Sequence, residues 1–132
     1  MANAPATFSS RGTRVFHGKA GGTIAACRFV TRALASDTAH LGQIVACPVG
    51  ANPTGVSPSA YVAGDDADYH KQGIAAVETD GTTLTAATVG GYVKAGAAGI
   101  AVLDHATTRT LLAAGIQLSF DATTNIADIE LF

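Results

Sequence analysis

Glycine interrupts this chain so often that no long element can form. Fifteen of its 132 residues are glycine, and the segments between glycine, proline and aspartate are short runs of β-branched and apolar side chains. The stretch "GYVKAGAAGIAVL" (91–103) is the pattern at its most concentrated, with glycines at 91, 96 and 99 and one charge. Two architectures compete for it: a hydrophobic element beside a phosphate loop, or two short strands joined by a tight turn, for which glycine supplies the turn and the close approach of backbones. The rest of the chain favours the strands. Runs of strand length recur at 13–17, 23–33, 42–49, 59–63, 73–79, 83–87, 91–95, 99–104, 116–121 and 126–132. Their spacing of about 8–12 residues, with turn residues between, predicts an all-β fold, a small β-barrel or β-sandwich. At most one short helix is expected, over 106–115, where threonines can cap the start and Gly115 the end.

Hydrophobic residues make up 48% of the chain but aromatic ones only 6%, with no Trp, so the interior is built from Ala, Val, Ile and Leu. For a chain of this mass, surface scaling lets about two-thirds of the extended surface be buried, enough for one self-standing domain. Small side chains make that core thin, and association with copies of itself or a larger partner would add burial. Residues 1–12 read as an extended N-terminal arm, small and polar with Pro5 forbidding a regular ladder, ahead of a single β domain over 13–132. Fully stretched, the arm spans on the order of 40 Å, and Phe8 is its one large apolar anchor apart from Met1. The alternative for it is a frayed terminus.

Net charge is −2, but its distribution is uneven. Arg11, Arg14, Lys19, Arg28 and Arg32 precede the first acid, Asp37; from there on Lys71, Lys94 and Arg109 stand against ten acids. A chain polarised in this way can present its basic end to an acidic partner, the alternative being ordinary solvated charge. Direct nucleic-acid binding is not expected, because the basic residues are dispersed, few aromatics are interleaved and no zinc-finger or helix-turn-helix pattern is present. No window approaches the roughly 18 apolar residues of a membrane helix, and no leader pattern is visible, so a protein made in a cytoplasm and kept there or released is expected.

The motifs of catalysis are missing. "GTRVFHGKA" is the nearest approach to a phosphate loop, but its glycine spacing is one too long and Ala20 stands where the hydroxyl is needed. No G-x-S-x-G elbow occurs, and His17, His40, His70 and His105 lie in separate segments. Cys27 and Cys47 lack metal-ligand spacing and read as free thiols, with a disulfide as the alternative. "GDDADYH" (64–70) is the strongest polar cluster: Asp66, Asp68 and His70 alternate, so on a strand they share a face. A calcium loop counted from Asp66 would need Gly at the sixth position and Glu at the twelfth, where Lys71 and Val77 stand. A surface hairpin with solvated acids is expected instead, and no catalytic, metal or cofactor-binding residue.

An internal echo runs through the chain. "TIAACRFV…GQIVAC…TGVSPSAYVAGDDADY" and "TLTAATVGGYV…AGIAVL…AAGIQLSFDATTNIAD" present apolar and glycine landmarks in the same order, the first with longer loops, as a duplicated strand unit would.

The C-terminal half, "GIAAVETDGTTLTAATVGGYVKAGAAGIAVLDHATTRTLLAAGIQLSFDATTNIADIELF", resembles the capsid cement, or head-decoration, proteins of tailed bacteriophages, in its "VKAG" turn, "GIAVL" strand and closing apolar strand. "RFV" (28–30) and "GV" (55–56) extend the likeness more loosely over residues 20–132. The resemblance implies a non-enzymatic virion protein, made in the host bacterium and carried on the outer surface of the capsid. Its partner would be the major capsid protein, bound as a homotrimer at three-fold or quasi-three-fold positions. The candidate capsid-binding residues are then the basic end and its anchor: Phe8, Arg11, Arg14, Arg28 and Arg32. A virion-surface adhesion module holding a glycan or host protein is the second expectation, with Tyr61, Tyr69 and Tyr92 as its candidate stacking residues.

Overall fold

The structure, a computed structural model, describes residues 14–33 and 37–132. Ten strands fill it: β1 (Val15–Lys19), β2 (Arg28–Arg32), β3 (Ile44–Ala46), β4 (Gly55–Ser57), β5 (Asp66–His70), β6 (Gly73–Glu78), β7 (Tyr92–Ala95), β8 (Ala101–His105), β9 (Gly115–Gln117) and β10 (Ile126–Leu131). They form two antiparallel five-stranded sheets, ordered β1-β5-β4-β2-β3 and β6-β10-β9-β7-β8. Numbered from its own first strand, each sheet has the same order: first, fifth, fourth, second, third. The edges of each sheet are joined in the same way, by a parallel bridge between Ala20 and Ile44 in the first and between Thr79 and Ala101 in the second. Each half is therefore a sheet curled towards a small barrel, and the all-β expectation holds.

The echo in the sequence falls in register with this repeat. Val30 faces Ala46 and Gly55 in the first half, as Val93 faces Leu103 and Gly115 in the second. Gly55 and Gly115 are required by the same close approach, since a Cβ on either would run into a carbonyl oxygen of the adjacent strand, that of His70 or Glu130. Cys27 and Gly90 are equivalent too. Both have left-handed backbones, φ 58° and 93°, and their amides donate to the equivalent carbonyls of Ser57 and Gln117.

Burial follows the repeat. Ala20, Ile24, Val30, Ile44, Ala67 and Tyr69 form the core of the first half. A larger cluster holds the second half together through Val77, Leu84, Val93, Ala101, Ala127 and Ile129, and it also includes Phe29, Cys47 and Val56 from the first sheet. Strand alternation explains the division: in "RFVTR", Val30 points into its own half and Phe29 into the neighbouring one.

Some expected elements are displaced. The segments 59–63 and 83–87 are not strands, apart from the single Ile24–Tyr61 bridge, and the strand in "GDDADYH" is β5, inside the first sheet between β1 and β4. The helix expected over 106–115 is absent; the segment is a loop with Leu111 95% exposed. Short polar side chains take its backbone donors. His105 Nδ1 accepts from the amides of Thr107 and Thr108, and the Thr110 hydroxyl accepts from the Leu112 amide, the local competition that disfavours helix. The only helical turns are two 3₁₀ turns among the described residues, Ala86–Thr88 and Ala97–Gly99.

Candidate docking surfaces

The five residues singled out in the sequence do not share one environment. Phe8 and Arg11 lie outside the described residues. Arg14 is exposed just before β1, its guanidinium 5.7 Å from the centre of the Phe16 ring. Lys71 approaches the same ring at 5.1 Å, Phe16 stacks on Tyr69 at 5.8 Å, and Arg32 lies 5.7 Å from the Tyr69 ring. Three cations thus form a ladder along the β1–β5 side of the first sheet over the half-buried Phe16 ring and the buried Tyr69 ring, each cation–π contact favourable by about 0.5–1 kcal/mol where exposed.

Arg32 also does structural work within that ladder. Its guanidinium donates to the carbonyls of His17 and Gly42 at 3.0 and 2.9 Å, joining β1 to the loop before β3 across the seam where the sheet curls. Arg28 is engaged more deeply. Its side chain is 18% exposed and donates to Glu78 Oε1 at 3.1 and 3.3 Å and to the Ala98 carbonyl at 3.2 Å. Both partners belong to the second half, so Arg28 ties the two sheets together with a charge-assisted pair.

The alternation of Asp66, Asp68 and His70 is realised on β5, with cross-strand partners the sequence did not reveal. Lys19 faces Asp66 and His17 faces Asp68 in register, with Lys19 Nζ 3.2 Å from Asp66 Oδ1 and His17 Nδ1 2.5 Å from Asp68 Oδ1. The acids are solvated, as expected, but on a strand next to a sheet edge. His70 is buried, and burial lowers its pKa against the opposing influence of Asp68. Burial likewise pushes the Cys47 thiol up to about 11 and raises that of Cys27; both are free thiols, poor nucleophiles in this state.

Two polar networks hold loops of the second half, and sequence motifs alone did not mark either. Asp80 accepts from the amides of Thr82, Thr83 and Leu84 and from the hydroxyls of Thr82 and Thr83. Partial burial pushes its pKa up, but these hydrogen bonds outweigh it and leave the carboxyl below its ordinary value. The loop so fixed delivers Leu84 to the core, fully buried. Gln117, also fully buried, donates to the carbonyls of Thr85 and Ser119 and accepts from the Thr88 hydroxyl. The signal available was a polar side chain in the apolar run "GIQL".

Among the described residues, no group of three or more His, Cys, Asp or Glu side chains is placed to hold a metal ion, and no helix is long and apolar enough to cross a membrane. The remaining features are surfaces: the basic ladder on the first half, and a face on the second where Tyr92 stands opposite Ile116 and packs against the Phe132 ring at 6.0 Å. Arg109 covers that ring at 3.7 Å.

Two repeated antiparallel sheets presenting surfaces define an all-β protein of duplicated build. Among solved structures, the chain is similar to the base of the head fiber protein gp8.5 from bacteriophage phi29, with 16% identity and a TM-score of 0.67 over 91% of this chain and 94% of that one. At that identity the likeness is one of fold. No protein-family model and no curated protein sequence matches the chain.

Proposed function

We propose that this protein is a bacteriophage head-decoration protein that binds the outer surface of the assembled capsid and stabilises it by bridging adjacent major capsid subunits. The observation that carries the reading is the shared fold with a phage head fiber base along nearly the whole of both chains. It agrees with the resemblance to cement proteins, which rests on different grounds, the small-residue strand motifs of the C-terminal half. The basic ladder of Arg14, Lys71 and Arg32 over Phe16 and Tyr69 is the docking face of the described residues. Phe8 and Arg11, which precede it in sequence, remain candidate capsid-binding residues, and the acidic second half then faces outward.

The mechanism is linkage. A protein that binds the expanded shell and not its unexpanded precursor stabilises the expanded one by RT ln(1 + [L]/Kd) per site, about 2.7 kcal/mol at 100 times Kd. As a trimer over a three-fold position, one docked copy holds the other two at high effective concentration. Association of a basic face with an acidic shell weakens as salt screens it.

The test mixes purified protein with undecorated expanded and unexpanded capsids and sediments both. Binding to the expanded form alone, weakened by salt and by Arg14→Ala with Lys71→Ala, is expected. Equal binding to both forms, or none, overturns the proposal, and saturable glycan binding in the absence of capsid would assign an adhesive role instead.

A further inference from the structure

The two halves make the same connection with different lengths of chain. Val30 faces Ala46 and Gly55, as Val93 faces Leu103 and Gly115. Eight residues separate Ala46 from Gly55, whereas eleven separate Leu103 from Gly115. Both connections return to the sheet in the same way, the amides of Thr54 and Ala114 donating to the carbonyls of Val30 and Val93. The fold therefore closes without the three additional residues. The longer connection carries a run of exposed residues, 105–111, yet it is held at three points. His105 Nδ1 accepts from the amides of Thr107 and Thr108 at 3.1 and 2.9 Å, Asp104 Oδ2 accepts from the Thr110 hydroxyl at 2.6 Å, and the Arg109 guanidinium lies 3.7 Å from the centre of the Phe132 ring.

The first of these contacts is the one that a proton removes outright. A neutral imidazole has one ring nitrogen that donates and one that accepts, and once protonated both donate. With two amides directed at Nδ1, the neutral His105 ring carries its proton on Nε2. A second proton, added at Nδ1, takes the lone pair that both amides use and sets an N–H against two others. The Asp80 loop is an internal contrast. It too is held through its amides, those of Thr82, Thr83 and Leu84, but by a carboxyl whose pKa lies below its ordinary value, so mild acid leaves it in place.

We propose that His105 is a proton-operated latch on the 106–114 connection: the neutral ring holds it closed, and protonation at Nδ1 releases it. The titratable and charged groups on the surrounding elements are Tyr92 and Lys94 on β7, Asp104 on β8, Arg109 in the connection and Glu130 on β10. Tyr92 stands opposite His105, Asp104 is engaged by Thr110 and by Lys94 Nζ at 3.8 Å, and Arg109 lies on Phe132. Because the released segment carries Arg109, acid also loosens that cation from the Phe132 ring, which packs against Tyr92. The latch does not depend on capsid binding, and it is measured without capsids.

The experiment follows the full chain by nuclear magnetic resonance at about pH 8 and about pH 5, the range in which imidazoles change charge. At the higher pH the His105 ring nitrogens are expected to show the Nε2–H tautomer. Protection of the Thr107 and Thr108 amides, taken relative to their intrinsic exchange rates, is expected to fall about tenfold at the lower pH. The amides of Thr82, Thr83 and Leu84 should keep theirs. His105→Asn supplies a side-chain oxygen that accepts from the amide two residues on and does not titrate, so it should remain protected at Thr107 at both pH values. His105→Ala should be unprotected at both. Wild-type protection that is the same at both pH values overturns the inference. So does an Nδ1–H tautomer at the higher pH, or an equal acid loss in His105→Asn, which would place the action of acid elsewhere.

Discussion

Gly99 and Gly42 form a matched pair on which the interface between the halves can be measured. Alanine at either position must adopt a left-handed backbone, φ 79° or 78°, which costs an L-residue about 1–2 kcal/mol. Loss of glycine's freedom in the unfolded chain returns about 0.4–1 kcal/mol in both. These contributions cancel in the comparison. What differs is space: the Cβ introduced by Gly99→Ala would overlap the Phe29 carbonyl oxygen and lie 3.2 Å from the Phe29 nitrogen and carbonyl carbon, whereas the one introduced by Gly42→Ala meets nothing. Overpacking of this kind costs about 1–3 kcal/mol. Gly99→Ala is therefore expected to be less stable than Gly42→Ala by that amount, or to melt about 4–12 °C lower in a domain of this size. The assay is thermal and urea unfolding by circular dichroism, with both variants measured at the same protein concentration. Midpoints that coincide within the error of the two measurements would refute the reasoning, because the sheets would then not be locked together at Phe29.

Replacing Asp80 with Ala removes the acceptor of three loop amides and is expected to destabilise by about 2 kcal/mol, the upper range for loss of such a cap. The Asp80 carboxyl is lowered in the folded state, so its contribution is present above the ordinary carboxylate value and lost as pH falls through the lowered one; the Asp80→Ala chain should show a shallower loss of stability on acidification, read from urea midpoints between neutral and strongly acid pH. Cys27→Gly relieves a left-handed non-glycine residue at the position where the second half already has Gly90. After glycine's entropic penalty is subtracted, a gain of about 0.5–1 kcal/mol remains, and a lower urea midpoint would contradict the equivalence of the two sites. Cys47, with its thiol pushed up to about 11, should resist alkylation at pH 8 in the folded chain and react on unfolding, as followed by mass spectrometry.

The sequence makes the class of fold legible because glycine spacing and β-branched runs act locally: "GYVKAGAAGIAVL" is the β7–β8 hairpin, with Gly96 at its turn. Boundaries shift where a strand is short and carries polar residues. β4 has three residues, and β5, "DADYH", reads as a turn until β1 supplies Lys19 and His17 opposite its acids. The expected helix at 106–115 fails for a related reason, since its side chains offer the backbone better partners than a helix would. Charge was legible in amount and not in use. Arg14, Arg28 and Arg32 look alike in the sequence, yet only the fold shows that Arg28 faces Glu78, fifty residues away in the chain, while Arg14 remains outside. The repeat could be seen in apolar and glycine landmarks because those positions serve the curl of each sheet, which both halves must solve identically.

The halves differ where that curl is sealed, and the difference accounts for the asymmetry of the surface. In the second half the position equivalent to Arg32 is Ala95, 2% exposed, and the space along the seam is taken by Phe29 and Val56 from the first half. The first half fills this place with residues of its own. It closes its own seam with Ile44, with Phe16 stacked on Tyr69, and with the Arg32 guanidinium spanning the His17 and Gly42 carbonyls. A long cation does this without adding exposed apolar surface, because its stem covers the core while its head reaches carbonyls and water. It also leaves that end of the molecule positive and open at Leu41 and Gly42. The sealing of the first repeat and the basic character of its outer edge thus have one physical origin: the residue that completes the seal, Arg32, is charged.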